Sequence, residues 1–197
     1  MTVRSEGRTA RLARYAVLLL NGLALAALVA CGGGGGGGSP TQPPPPPPPP
    51  PPGIVVTSDS AASAGTVSLR AGSGAAGELL LEVVGTDLQN VYGLAFTLLY
   101  PAGLLNFQEG SEGTFLSQSG AVDTSLQVFQ SQGELVLGVS RLGDVGGTSG
   151  SGVVLSLRFT SAASGTGRLE FVDQDGVDGN GQVMDFLGWI DAQVQVN

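Results

Sequence analysis

Histidine and lysine are absent from this 197-residue chain, and cysteine occurs once, at Cys31. Without them there is no Ser-His-Asp or Cys-His catalytic set, no Schiff-base lysine and no histidine-built metal site. One thiol also excludes an internal disulfide, so stability must come from packing. Charged residues make up 12% of the chain and aromatics 6%. A glycosidase-type carboxylate pair is the common chemistry left. The acids are instead scattered over turns and segment ends, where such residues are solvated. The composition therefore argues against an enzyme.

A long hydrophobic run is also missing. Tyr15–Ala30 is 16 residues, short of the roughly 20 that cross a bilayer. Arg4, Arg8, Arg11 and Arg14 precede it, and it ends in Leu28-Val29-Ala30-Cys31. A basic start, a short apolar stretch and small residues before the break make a cleavable signal. The Leu28–Cys31 tetrapeptide resembles the lipobox of bacterial lipoproteins. That resemblance implies loss of residues 1–30 and lipidation of Cys31, whose acyl chains hold the protein at a membrane. Each buried methylene contributes about 0.8 kcal/mol, and several chains make the anchoring stable. In lipoprotein families an Asp after the cysteine favours inner-membrane retention. Here the residue is Gly32, so the expected location is the outer membrane of the cell envelope, facing the periplasm or the cell surface.

Residues 31–53 form a spacer. Gly32–Gly38 cannot bury apolar surface and reads as a disordered hinge, whereas the ten prolines Pro43–Pro52 predict a polyproline II rod of roughly 30 Å. Residues 54–197 are long enough for one domain with a sizeable core. From Gly53 onward the chain carries four Arg against fifteen carboxylates, a net charge of −11. Such a surface repels nucleic acid and anionic lipid, which leaves the lipid anchor as the expected membrane contact.

The patterning is that of strands. Apolar or alternating segments recur at 66–70, 78–84, 91–100, 126–129, 134–140, 153–159, 168–172 and 190–196, separated by Gly, Ser and Asp clusters. Alternation predicts Val153, Leu155, Leu157 and Phe159 inside, with Ser156 and Arg158 outside. In the 91–100 segment, Phe96, Leu98 and Tyr100 share the inner parity, which turns Ala95, Thr97 and Leu99 outward. This many short strands predicts an all-β antiparallel sandwich.

The order of segments resembles the cohesin family. Val91-Tyr92-Gly93-Leu94-Ala95-Phe96-Thr97-Leu98-Leu99-Tyr100-Pro101, then Leu104–Phe107 and Gly113-Thr114-Phe115-Leu116, is similar to that family's third-strand region. Gly152–Phe159, Gly165-Thr166-Gly167 and Ala192–Val196 are similar to its Gly-x-Leu-x-x-Leu-x-Phe strand, the turn after it and its closing strand. Pro101 follows Tyr100 directly, so the Asp of the family's Tyr-Asp-Pro turn is missing. The resemblance implies a nine-stranded jelly-roll sandwich shared with carbohydrate-binding modules. It also implies a dockerin-like secreted or surface protein as partner, docked on the face carrying Ala95, Thr97 and Leu99.

Two further readings stand beside it. Asp173, Asp175 and Asp178, in a Gly-rich stretch, offer oxygen ligands for Ca²⁺. Val177 and Asp178 break the EF-hand frame, and Asp178-Gly179 and Asn180-Gly181 equally signal a hairpin turn. A polysaccharide-binding module would need exposed rings. Its candidates are Tyr92, if Gly93 marks a bulge that turns it outward, and Trp189, which is either exposed or caps the end of the sandwich.

Overall fold

The computed structural model describes residues 53–118, 120, 122–185 and 187–197. The signal, Cys31 and residues 32–52 of the spacer lie outside the described residues. Ten strands follow one another: β1 (Ile54–Ser58), β2 (Thr66–Ala71), β3 (Glu78–Leu99), β4 (Leu105–Glu112), β5 (Thr124–Ser131), β6 (Glu134–Arg141), β7 (Thr148–Ser161), β8 (Gly165–Asp178), β9 (Gly188–Ile190) and β10 (Ala192–Val196). No helix is present among the described residues. The all-β sandwich is as expected; the 78–84 and 91–100 segments join in β3, β1 and β4 add to the segments read from the sequence, and the closing segment is divided at Asp191, which gives ten strands where the resemblance implies nine.

The two layers share β3. Its first half pairs β2 on one side and β7 on the other, and its second half pairs β6 and β8. Sheet I therefore runs β9-β2-β3-β7-β4, and sheet II runs β1-β10-β8-β3-β6-β5. The strand turns from one layer to the other between Gly85 and Val91, where its register with β7 shifts twice. Asp87 and Asn90 take left-handed backbone there, with φ of 46° and 54°, a conformation that short polar side chains tolerate better than most. Two hydroxyls of β7 hold the corner. Asp87 N–H donates to Ser151 Oγ at 2.8 Å, and Asn90 N–H donates to Ser149 Oγ at 2.9 Å.

Alternation delivers the core. Leu135, Leu137 and Val139 of β6 and Ala192, Val194 and Val196 of β10 all point between the sheets and are buried. Tyr100 also faces the core, its ring 5.2 Å from that of Phe159. In β7 the expectation needs correction at one residue. Val154 is fully buried while Val153 is half-buried, because the register against β3 slips between Val83 and Val84 and places an extra residue there. Every strand finds its partners and the core its walls within Gly53–Asn197, which is what a body able to fold alone requires.

Candidate docking face

The second half of β3 lies inside sheet II, so its outward residues sit in the middle of a surface four strands wide. Register sets them in rows across β8, β3, β6 and β5. One row is Val172, Thr97, Val136 and Phe129; the next is Asp175, Ala95, Gly138 and Gln127. Beyond it come Val177, Gly93, Ser140 and Ser125, and on the other side Glu170, Leu99, Glu134 and Ser131. Ala95, Thr97 and Leu99 thus share one outer face, exposed, buried and half-buried in turn.

Side-chain size gives this face its relief. Phe129 is 67% exposed and Val136 44%, and together they form an apolar ridge. Thr97 in the same row is 5% exposed, which leaves the ridge's contact surface to Phe129 and Val136. Beside it Gly93, Ala95, Gly138, Ser140 and Ser125 line a trough of about 290 Å³. A Cβ added at Gly138 would meet nothing within 4 Å, so this position opens onto free space. Sequence reasoning missed Phe129, Val136 and Gly138. The legible signal was an aromatic on the polar parity of β5, where Ser125, Gln127 and Ser131 are its companions.

Charge around the face is one-sided. Arg168 on β8 is held by Asp59, bidentate at 2.7 and 3.3 Å, by Glu170 at 3.2 Å and by Asp191 at 3.6 Å. Its pKa is raised, first by the hydrogen bond to Asp59. Arg70 pairs with Glu82 and Arg158 with Glu109, both at 2.7 Å in sheet I. Arg141 is buried at the end of β6 and donates to the Leu116 carbonyl. The carboxylate that borders the trough is Asp175, opposite Ala95.

The calcium candidates do not come together: among the described residues no group of three or more His, Cys, Asp or Glu is placed to hold a metal ion. Asp178 is spent on the turn. Its Oδ1 accepts from the backbone N–H of Asn180 and of Gln182, each at 2.8 Å, and its Oδ2 from the side chains of Asn180 and Asn90 at 3.1 and 3.3 Å. The bonds from Gln182 and Asn180, that from Gln182 first, hold its carboxyl below the usual carboxylate range. Asp173 has a φ of 50°, where β8 shifts register against β3 between Ala95 and Thr97. Asp175 is exposed on the outer face. The depressed pKa fixes a sign. Stability from Asp178 is fully present above the unfolded carboxylate range near pH 4 and is lost as pH falls through the lower folded value. Thermal melts from pH 6 to pH 2 should therefore show a smaller acid-induced drop in midpoint for Asp178→Asn than for the wild type. Equal drops would contradict the assignment.

The two rings of the polysaccharide reading are also accounted for. Trp189 packs on the core, its ring 5.1 Å from Phe171 and 5.4 Å from Phe96. Tyr92 is half-buried at a register shift and donates its hydroxyl to the Gly143 carbonyl at 3.0 Å. The rings form no shared flat strip, because each is turned to a different structural task.

No family model and no curated protein matches this chain. Solved structures do. A type II cohesin domain from the cellulosome of Acetivibrio cellulolyticus is 14% identical, covers 74% of this chain and 95% of its own, and superposes with a TM-score of 0.51. The type II cohesin A11 of Bacteroides cellulosolvens is 15% identical over 61% of this chain and 91% of its own, with a TM-score of 0.51. The sixth cohesin of scaffoldin B of A. cellulolyticus, solved in complex with a Cel5 dockerin, is 17% identical over 66% and 97%, with a TM-score of 0.50. The fold is cohesin-like.

Proposed function

We propose that this chain is a lipid-anchored, non-catalytic docking module of cohesin type, displayed on the cell envelope and binding a dockerin-like protein through the outer face of sheet II. The observation that carries the reading is the exposed Phe129–Val136 ridge beside the Gly138 trough, on a four-strand surface. An apolar centre with an open recess beside it is where an interface concentrates its energy, by seating a partner's anchor side chain. The fold supports the choice of partner class, since a cohesin of this fold is solved with a dockerin on it. The test is calorimetric titration of residues 53–197 with a panel of dockerin modules. A saturable one-to-one complex is expected with at least one of them, and absence of binding across the panel contradicts the reading.

Anchoring rests on the Leu28–Cys31 signature and the Gly/Pro spacer that follows it. Cells expressing the full chain and fed a labelled fatty acid should incorporate label into the wild type and none into Cys31→Ser. Fractionation of a labelled wild type with the outer membrane supports the location, and a mature protein that keeps residues 1–30 contradicts the processing.

A further inference from the structure

The sandwich is closed along one part of its margin and open along another. β4 is an edge of sheet I and β5 an edge of sheet II. At Gly110 the two meet, since a Cβ there would lie 3.0 Å from the Val128 side chain and 3.6 Å from that of Leu126. Towards the start of β4 they part. A recess of about 410 Å³ lies there, between the β3–β4 connection and the β5–β6 hairpin, a volume in the range of small-molecule sites.

Alternation marks the opening. Leu126 and Val128 of β5 pack against the core, and Gln130, the next residue of that inner parity, is an exposed amide. The wall of the recess is apolar, with Tyr100 and Leu105 buried and Phe107 half-buried. Asn106, Gln130 and Gln132 border it with side-chain amides that have no hydrogen-bond partner among the described residues. No charged residue lines it, and Ser131 on the same rim donates to Glu134 at 3.3 Å. Tyr100 adds an independent sign. It is 7% exposed, and a tyrosine buried to that degree ordinarily bonds its hydroxyl to the protein. Among the described residues this hydroxyl has no partner, and it is not sealed from solvent.

We propose that this recess binds a neutral saccharide, with a sugar ring against the wall of Tyr100, Leu105 and Phe107 and its hydroxyls bonded to Tyr100, Asn106, Gln130 and Gln132. The groups match. A carboxamide donates and accepts side by side, and a hydroxyl does both at one atom, so one amide serves two neighbouring hydroxyls of a sugar. A charged ligand finds no counter-ion among the lining residues, and an anion also meets a body of net charge −11. A wholly apolar ligand would strip water from three amides and a phenol without replacing it. Backbone pairing with a peptide is poorly served at the wall, because the N–H groups of Tyr100, Leu104 and Leu105 are taken by the Gly133 and Pro101 carbonyls. The recess shares no residue with the trough of the docking face, and it uses neither Tyr92 nor Trp189. Sugar binding here therefore stands or falls separately from dockerin binding.

Nuclear magnetic resonance of residues 53–197, titrated to about 10 mM with cellohexaose, xylohexaose and chitohexaose in turn, reads the site directly. At least one of them should give saturable shifts confined to residues 100–107 and 130–132, side-chain amides included, with a dissociation constant below about 1 mM. Salt should leave that constant unchanged, because the ligand carries no charge to screen. Asn106→Ala and Gln130→Ala remove exposed amides and should each weaken binding about fivefold. Tyr100→Phe should weaken it similarly while keeping the wild-type melting midpoint, since its hydroxyl holds no protein group. A hydroxyl with a purely structural role would instead lower the midpoint and spare binding. The proposal is overturned by an absence of shifts with every one of these sugars, by shifts centred elsewhere, or by binding indifferent to all three substitutions. A dockerin module that moves the Asn106, Gln130 and Gln132 side-chain amides also overturns it, by making the recess part of a protein interface.

Discussion

Replacing Phe159 by Ala is expected to lower unfolding free energy by about 3–5 kcal/mol. The ring is fully buried in β7, with Tyr100 at 5.2 Å on one side and Phe107 at 5.6 Å on the other. Removing it takes a packing partner from both rings and leaves a void where sheet I meets the β3–β4 connection. For a domain whose total stability is about 5–15 kcal/mol, that is a fifth or more of what holds it folded. With one thiol in the chain, no disulfide offsets the loss. Urea unfolding followed by Trp189 emission should show a shifted midpoint at unchanged slope. Phe129→Ala is the contrast. Its ring is two-thirds exposed, and the change should stay within about 0.5 kcal/mol. A Phe159→Ala midpoint close to the wild type would contradict the core as described.

The same contrast reverses for binding. Gly138→Val and Phe129→Asp should each weaken a dockerin complex by about 30-fold or more, the effect of losing an interface hot spot. The two act differently. Gly138 has open space where a side chain would go and no left-handed backbone, so valine fills the trough without strain and suits a strand. Phe129→Asp leaves the trough open, removes the ridge and adds a fourth carboxylate to a surface that already bears Glu134, Glu170 and Asp175. Both variants should melt near the wild type. Loss of binding together with loss of folding would say nothing about docking, which is why the glycine variant matters. Full affinity in both would contradict the assignment of the face.

Most of the sandwich was legible in the alternation. Strands such as β6 and β10 advertise their inner face because every second residue is apolar, and Ala95, Thr97 and Leu99 were turned outward by counting from Phe96 and Leu98. Two strands carried weaker signals. β1 is short and follows ten prolines, while β4, Leu-Asn-Phe-Gln-Glu-Gly-Ser-Glu, loses its period at the slip after Phe107. The stretch Gly85-Thr86-Asp87-Leu88-Gln89-Asn90 has the composition of a turn. In the fold it is the bend by which one 22-residue strand serves both sheets, with left-handed Asp87 and Asn90 where a turn would place glycine. Periodicity sees the two halves and cannot see that the ladder continues through the bend.

The candidate site was half legible for a similar reason. Parity finds which residues of one strand face out, but the relief of a face depends on what neighbouring strands place beside them. Gly138 becomes the floor of a trough only when register sets it between Ala95 and Gln127. Asp178 shows the converse. Its spacing from Asp173 and Asp175 suits a cation, yet four hydrogen bonds commit it to closing a hairpin and to Asn90 of the bend.

The most direct measurement is a map of backbone amide chemical shifts of residues 53–197 during titration with the dockerin module that binds best. Docking on the outer face of sheet II predicts that the largest changes fall on Ala95, Gln127, Phe129, Val136, Gly138 and Asp175, with little change at the outward residues of β2, β4 and β7. Changes centred on sheet I, or on Tyr92 and Trp189, would contradict it.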